Sequence, residues 1–182
     1  MSGSIARRYA KAIIAVAKEQ DALEQTGDEL RVLRALGADP EIAQALANPM
    51  FTVPVRRRLA LTIAERLTLR PIMRNFLAVL ADHGRLDQLV GIADQYQRIL
   101  DTMLGRVRAT ITSATPLSSE QIDAVTAALA RQTRRTVLVE QHTDPQLLGG
   151  IVVDVEGKVY DGSLRTQLEG LATSIAGGRS VL

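Results

Sequence analysis

Few residues in this 182-residue chain have the types and spacing that chemistry demands. Gly149-Gly150 could free backbone amides to cradle a phosphate. A nucleotide loop, however, follows a strand, opens a helix and usually carries a Lys and a hydroxyl in register. Here a β-branched run follows instead, Ile151, Val152, Val153 and Val155, so the pair reads as backbone freedom at a strand entry. His83 beside Asp82 could pair a base with an orienting carboxylate. Neighbours on a helix point about 100° apart, and His83 next to Gly84 reads instead as a helix-end residue near the last carbonyls. His142 falls by a turn. Arg56-Arg57-Arg58, with Arg66, Arg70 and Arg74, could face phosphates. Three successive helix residues fan around the axis, and no aromatics are interleaved, so a solvated face or a flank for acidic partner segments fits better. With no cysteine there is no disulfide, thiolate nucleophile or Cys-ligated metal, and two distant histidines argue against zinc. No cofactor, metal or catalytic site is legible.

Composition points the same way. Hydrophobic residues make up 46% of the chain and aromatics only 3%, so the apolar mass is Ala, Leu, Val and Ile. Ala-rich helices packed closely together are expected, not a surface for stacking bases or sugars. The net charge is +2, from 22 basic and 20 acidic residues, too small an excess to mark a nucleic-acid binder. The uncharged run from Ile42 to Val55 is too short, and too broken by Pro49 and Pro54, to span a bilayer. The N-terminus, MSGSIARR, lacks a hydrophobic signal core. A soluble, intracellular chain is expected, reaching a membrane only through a partner.

The elements that must position these residues fall into two sets. The first hundred residues predict six consecutive helices with short connections, hence a bundle. Ser4 caps the first, which runs to about Gln20. Leu23, Leu30 and Leu33 mark a second that ends at Gly37. Asp39-Pro40 opens a short third, ending at Asn48-Pro49. Thr52 and Pro54 open a fourth, and Pro71 lies in the first turn of a fifth that runs to His83-Gly84. The sixth begins at Arg85 and aligns Leu86, Leu89, Ala93, Tyr96, Leu100 and Met103. The pattern changes at Gly105. Val107, Ala109 and Ile111 alternate with polar residues as a strand does. Ser118 and Gln121 have capping-box spacing before a helix with Ile122, Val125 and Leu129 inward. Thr136 to Glu140 forms a second strand. A hairpin turning at Glu156-Gly157 and broken at Asp161-Gly162 adds two more. A last helix starts at Ser163, carries Leu164, Leu168, Leu171 and Ile175, and closes at Gly177-Gly178. The fold class is therefore α+β: a six-helix bundle, residues 1–104, then a small α/β module with a β-hairpin and terminal helix, residues 105–182.

Two helices carry apolar residues beyond one core face. On the first, Ile5, Tyr9, Ile13 and Val16 read as the core stripe. Ala6, Ala10, Ile14 and Ala17 form a second stripe whose small side chains let another helix approach. On the fifth, Met73, Phe76, Leu77 and Leu80 face the core, while Ile72 and Val79 lie off that face beside Asn75. These stripes fit either burial against neighbours in the bundle or a shallow groove for a partner's amphipathic helix.

The stretch DPQLLGGIVVDVEGKVYDGSLRTQLEGL resembles the C-terminal signature of the δ subunit family of F-type ATP synthases, whose mitochondrial relative is the oligomycin-sensitivity-conferring protein. Asp144, Pro145, Leu147, Gly149, Gly150, Gly157, Asp161, Ser163 and Leu168 carry the match. IARRYAKAI, centred on Tyr9-Ala10-Lys11-Ala12, and NFLAVLADHGRL, Asn75 to Leu86, resemble the family's first-helix and fifth-helix patterns. The resemblance implies a non-catalytic stator subunit without cofactor, peripheral on the cytoplasmic face of an energy-transducing membrane. It implies that the bundle takes the N-terminal helix of an alpha subunit between its first and fifth helices, at Ala6, Tyr9, Ala10, Ile14, Ile72, Asn75 and Val79. It implies that the second module holds the b subunits of the peripheral stalk. The apolar end of the chain, Leu171, Ile175, Val181 and Leu182, is the expected contact for them. The competing reading is a small basic helical nucleic-acid-binding protein.

Overall fold

Proline and small polar residues place most helix starts. The computed structural model describes residues 2–147 and 149–162. Pro40, Pro54 and Pro71 each sit in the first turn of a helix, where a missing N–H is harmless. The helices are α1 (Ser2–Glu19), α2 (Leu23–Gly37), α3 (Pro40–Leu46), α4 (Val53–Arg66), α5 (Pro71–Asp82) and α6 (Leu89–Met103). Asp39 caps α3, its carboxylate accepting from the Glu41 and Ile42 amides at 2.9 and 3.2 Å. Helix α1 starts two residues before Ser4, which is therefore not its cap. Residues Leu86–Gln88, expected to open the sixth helix, form a 3-10 turn that leads into α6.

The second set begins with β1 (Arg106–Ser113), followed by α7 (Ser119–Thr133), β2 (Thr136–Thr143), β3 (Ile151–Val155) and β4 (Lys158–Asp161). The sheet order is β2-β1-β3-β4. Strands β1 and β2 run parallel, with α7 as the crossover; β3 lies antiparallel to β1 and β4 antiparallel to β3. Strand β1 alternates strictly, with Val107, Ala109, Ile111 and Ser113 buried. Ser118 and Gln121 form the capping box of α7. The fold is thus α+β. The terminal helix expected from Ser163 lies outside the described residues.

The chain divides into two compact units, residues 1–100 and 101–182. The division falls within the last turn of α6, ahead of Gly105. Asp101, 7% exposed, accepts from Arg108 Nε at 2.7 Å and so ties that turn to β1. The first unit's core gathers Leu30, Leu33, Met73, Leu77, Leu80, Leu89, Ile92 and Tyr96. The second is built from Val107, Ala109, Ile111, Leu129, Val137, Val153 and Val155.

Close helix approach in the first unit depends on small residues. A Cβ added at Gly27 on α2 would lie 3.1 Å from Leu100 Cδ2 on α6. Ala6 Cβ on α1 would sit 3.5 Å from a Cβ at Gly91 of α6. Met103, which the pattern aligns with Tyr96 and Leu100 on one side of α6, is 45% exposed.

Candidate functional site: an apolar groove between two helices

Helices α1 and α5 enclose a groove of about 530 Å³. From α1 and its end come Tyr9, Ala12, Ile13, Val16 and Gln20. From α5 and the residue before it come Arg70, Pro71, Ile72, Asn75, Phe76 and Val79. At a rise of 1.5 Å per residue, Tyr9 to Gln20 spans roughly 16 Å, about three helical turns. Tyr9 and Phe76 meet edge to face across it, ring centroids 6.4 Å apart and planes at 69°. Val16 and Val79 are 41% and 45% exposed, large β-branched side chains left open to solvent among the described residues.

The structure brings Tyr9, Ile72, Asn75 and Val79 together on this groove. Ala6, Ala10 and Ile14, expected there too, are in the core at 3%, 0% and 7% exposure. Val16, expected in the core, lines the groove instead. The two stripes of α1 have exchanged roles. The cause is distance: the alanine stripe faces the helices that pack closest, as Ala6 does opposite Gly91. The larger Tyr9, Ile13 and Val16 line the opening. Ile13 serves both faces, being 3% exposed yet part of the wall. Ala12, Gln20, Arg70, Pro71 and Phe76 were not anticipated on the groove. The size difference between the two α1 stripes was the available signal.

A polar cluster fixes the start of α5 beside the groove. Arg70 donates to Gln25 Oε1 at 2.9 Å, Thr26 Oγ1 at 2.9 Å and Glu29 Oε2 at 2.8 Å. The other Glu29 oxygen accepts from the Arg70 amide at 2.8 Å. Glu29 on α2 thus places a carboxylate at the positive end of α5. Tyr96 on α6 donates to the Leu23 carbonyl at 2.8 Å. Burial pushes its phenol up to about 12, and the Thr26 hydrogen bond and the Arg70 charge oppose the shift only in part.

Three of the six arginines, Arg57, Arg70 and Arg74, are paired with carboxylates of this chain. Arg57 meets Asp82 at 2.7 Å, and Arg74 meets Glu65 at 2.8 Å. Arg56 is half-buried against Gly84; a Cβ there would lie 2.6 Å from its Nη1. These contacts use up much of the charge a nucleic-acid face would need, and nothing favours that reading. His83 is an exposed residue at the α5 C-terminus. Gly149 and Gly150 take positive φ, 145° and 82°, and the strand β3 follows them. Gly157 turns β3 into β4, and Asp161 ends β4. Ser163, Leu171, Ile175, Val181 and Leu182 lie outside the described residues. Among the described residues, no group of His, Asp or Glu is placed to hold a metal ion. No helix there is long and apolar enough to cross a membrane.

An apolar groove about one helix wide has the dimensions that an amphipathic helix could fill. Comparison with known proteins gives the family. The model of the ATP synthase delta (OSCP) subunit matches residues 5–175. ATP synthase subunit delta of Anaeromyxobacter sp. (strain K) is 41% identical over 176 residues, covering 96% of this chain and 98% of that one. The subunit delta of Desulfosudis oleivorans is 36% identical over 178 residues, 97% of each chain. Among solved structures, a chain of the Toxoplasma gondii mitochondrial ATP synthase hexamer shares the fold, with a TM-score of 0.70 at 21% identity. That likeness covers 97% of this chain and 98% of that chain. The chain belongs to the ATP synthase delta (OSCP) subunit family.

Proposed function

We propose that this chain joins the catalytic head of an ATP synthase to its peripheral stalk through one contact on each of its two units. Family membership makes it a non-catalytic peripheral-stalk subunit of an F-type ATP synthase, a peripheral component of that membrane complex. The finer reading assigns residues 1–104, a six-helix bundle, to the head. There the α1–α5 groove takes the N-terminal helix of an alpha subunit. Residues 105–182 hold the b subunits, through the apolar end of the chain at Leu171, Ile175, Val181 and Leu182. The complex would then sit on the cytoplasmic face of the membrane. The work is mechanical: a stator must resist rotor torque, and broad apolar contacts between stiff helices do so without chemistry.

The observation that carries this reading is the groove, whose apolar side chains stay open to solvent while the core behind it is closed. The test is titration of an alpha-subunit N-terminal peptide against the full chain and its Val79→Asp variant. Val79 is 45% exposed, so the variant should fold normally. A carboxylate buried without a partner costs several kcal/mol, and about 1.4 kcal/mol is already tenfold in affinity. Loss of at least tenfold is expected; equal affinity would remove the groove as the site. For the second contact, removing residues 172–182 should weaken capture of b while leaving the alpha peptide's affinity unchanged. Full retention of b would place that contact elsewhere.

A further inference from the structure

We propose that the helix received by the groove carries carboxylates along the flank that meets α1, and that Arg8 is the residue that recognises them. This rests on the groove being a helix-binding site, and adds the charge of the occupant.

The charges bordering the groove are unequal. On the α5 side they are spent within the chain: Arg70 on Glu29, Arg74 on Glu65, Asp82 on Arg57. On α1 the cations Arg7, Lys11 and Lys18 lie on the face turned away from the groove residues, while Arg8 directly precedes the groove wall Tyr9; the only carboxylate of the helix is Glu19. All four cations are exposed, and among the described residues none is paired with a carboxylate. Arg8 is also held in place. Its guanidinium carbon lies 5.4 Å from the ring centroid of Tyr9, itself a wall of the groove. A cation fixed at the rim of an apolar slot costs a docking helix little when that helix presents a carboxylate. It penalises one that presents a Lys or Arg. Arg8 therefore sets which flank of the incoming helix turns toward α1. Its guanidinium presents paired donors suited to a carboxylate.

The experiment uses the full chain and two peptides. One is the N-terminal helix of the alpha subunit from the same organism; the other is that helix with its carboxylates changed to amides. Affinities are measured for the unaltered chain, Arg8→Gln, Arg8→Glu and the groove variant Val79→Asp, at about 0.05 and 0.5 M NaCl. The expected result is a loss of roughly tenfold for Arg8→Glu with the acidic peptide at low salt. That loss should shrink at high salt, where the Debye length is only a few ångströms, and should vanish with the amide peptide. Arg8→Gln should fall between. The proposal is overturned if the native peptide has no carboxylate, or if Arg8→Glu leaves its affinity unchanged while Val79→Asp abolishes it. It is overturned equally if both peptides lose the same affinity, since lost packing on Tyr9 would then be the cause. If neither Arg8→Glu nor Val79→Asp changes binding, the groove itself is not the site, and both readings fall.

Discussion

Single side chains decide how the groove is held open. Arg70 binds three acceptors on α2 and fixes the first residue of α5 through Glu29. Replacing Arg70 with Met would leave Glu29, whose side chain is 15% exposed, without its cation. A fully buried pair broken this way costs about 3–5 kcal/mol. Arg70 is itself 31% exposed, so we expect about 2 kcal/mol, read as a lower denaturant midpoint with unchanged m. The alpha-peptide affinity should fall with it, because the start of α5 is one wall of the groove. Tyr96 gives a pH signature. Its phenol ionises near 10.0 when unfolded and at about 12 when folded. Below pH 10 both states hold the proton and the stability difference is constant. Above it only the folded state does, so stability should fall by about 1.4 kcal/mol per pH unit until roughly pH 12. Tyr96→Phe should flatten that slope. At neutral pH it should cost about 1 kcal/mol, by leaving the Leu23 carbonyl unpaired. Urea unfolding at pH 7, 10 and 11 checks both effects, and an unchanged alkaline slope in the variant would assign it to another group.

Element boundaries in the second unit rest on local chemistry and should respond to local changes. The α7 capping box satisfies two amides at once: Gln121 N–H donates to Ser118 Oγ at 3.3 Å, and Ser118 N–H donates to Gln121 Oε1 at 3.0 Å. Ser118→Ala should therefore cost about 1 kcal/mol. The β3–β4 turn has both central residues at positive φ, Glu156 at 52° and Gly157 at 86°, the geometry that matches strand twist. Asp154 steadies it by accepting from the Gly157 amide at 2.8 Å. Glu is poorly suited to a left-handed conformation and Asn tolerates it, so Glu156→Asn should stabilise the unit by about 0.5 kcal/mol. The exposed contact of Glu156 with Arg135 at 3.7 Å contributes too little to reverse the sign. Thermal melts of the two variants should move in opposite directions. A Glu156→Asn protein that melts earlier would mean the side chain has a stabilising contact beyond that pair.

At the scale of the whole chain, the first unit has its own closed apolar core, so residues 1–104, which keep α6 intact, should fold alone. The fragment should show helical circular dichroism and a cooperative melt; a fragment without a transition would mean that its core needs the second unit. Much of this organisation was legible in the sequence because its causes are local. Pro40, Pro54 and Pro71 restrict where helices start, Ser118 and Gln121 close a cap, and Glu156-Gly157 turns a hairpin. Each works within a few residues of itself. The strand alternation of Val107, Ala109 and Ile111 is equally local. The class of the chain was legible too, in Asp144 to Leu171 and in the helix patterns around Tyr9 and Asn75. Assignments that needed a partner across space were not. Ala10 and Val16 sit on adjacent apolar stripes of one helix, and periodicity says only that both are apolar. Which stripe is closed and which stays open depends on what packs there, and α6 comes close enough at Gly91 to claim the alanines. The same holds for Arg70, a surface cation by its neighbours in sequence, whose partners lie 41 to 45 positions away on α2. Sequence determined the elements and their kind. Only the tertiary structure decided which apolar face stayed open, because that face is what remains after the neighbouring helices have made their contacts.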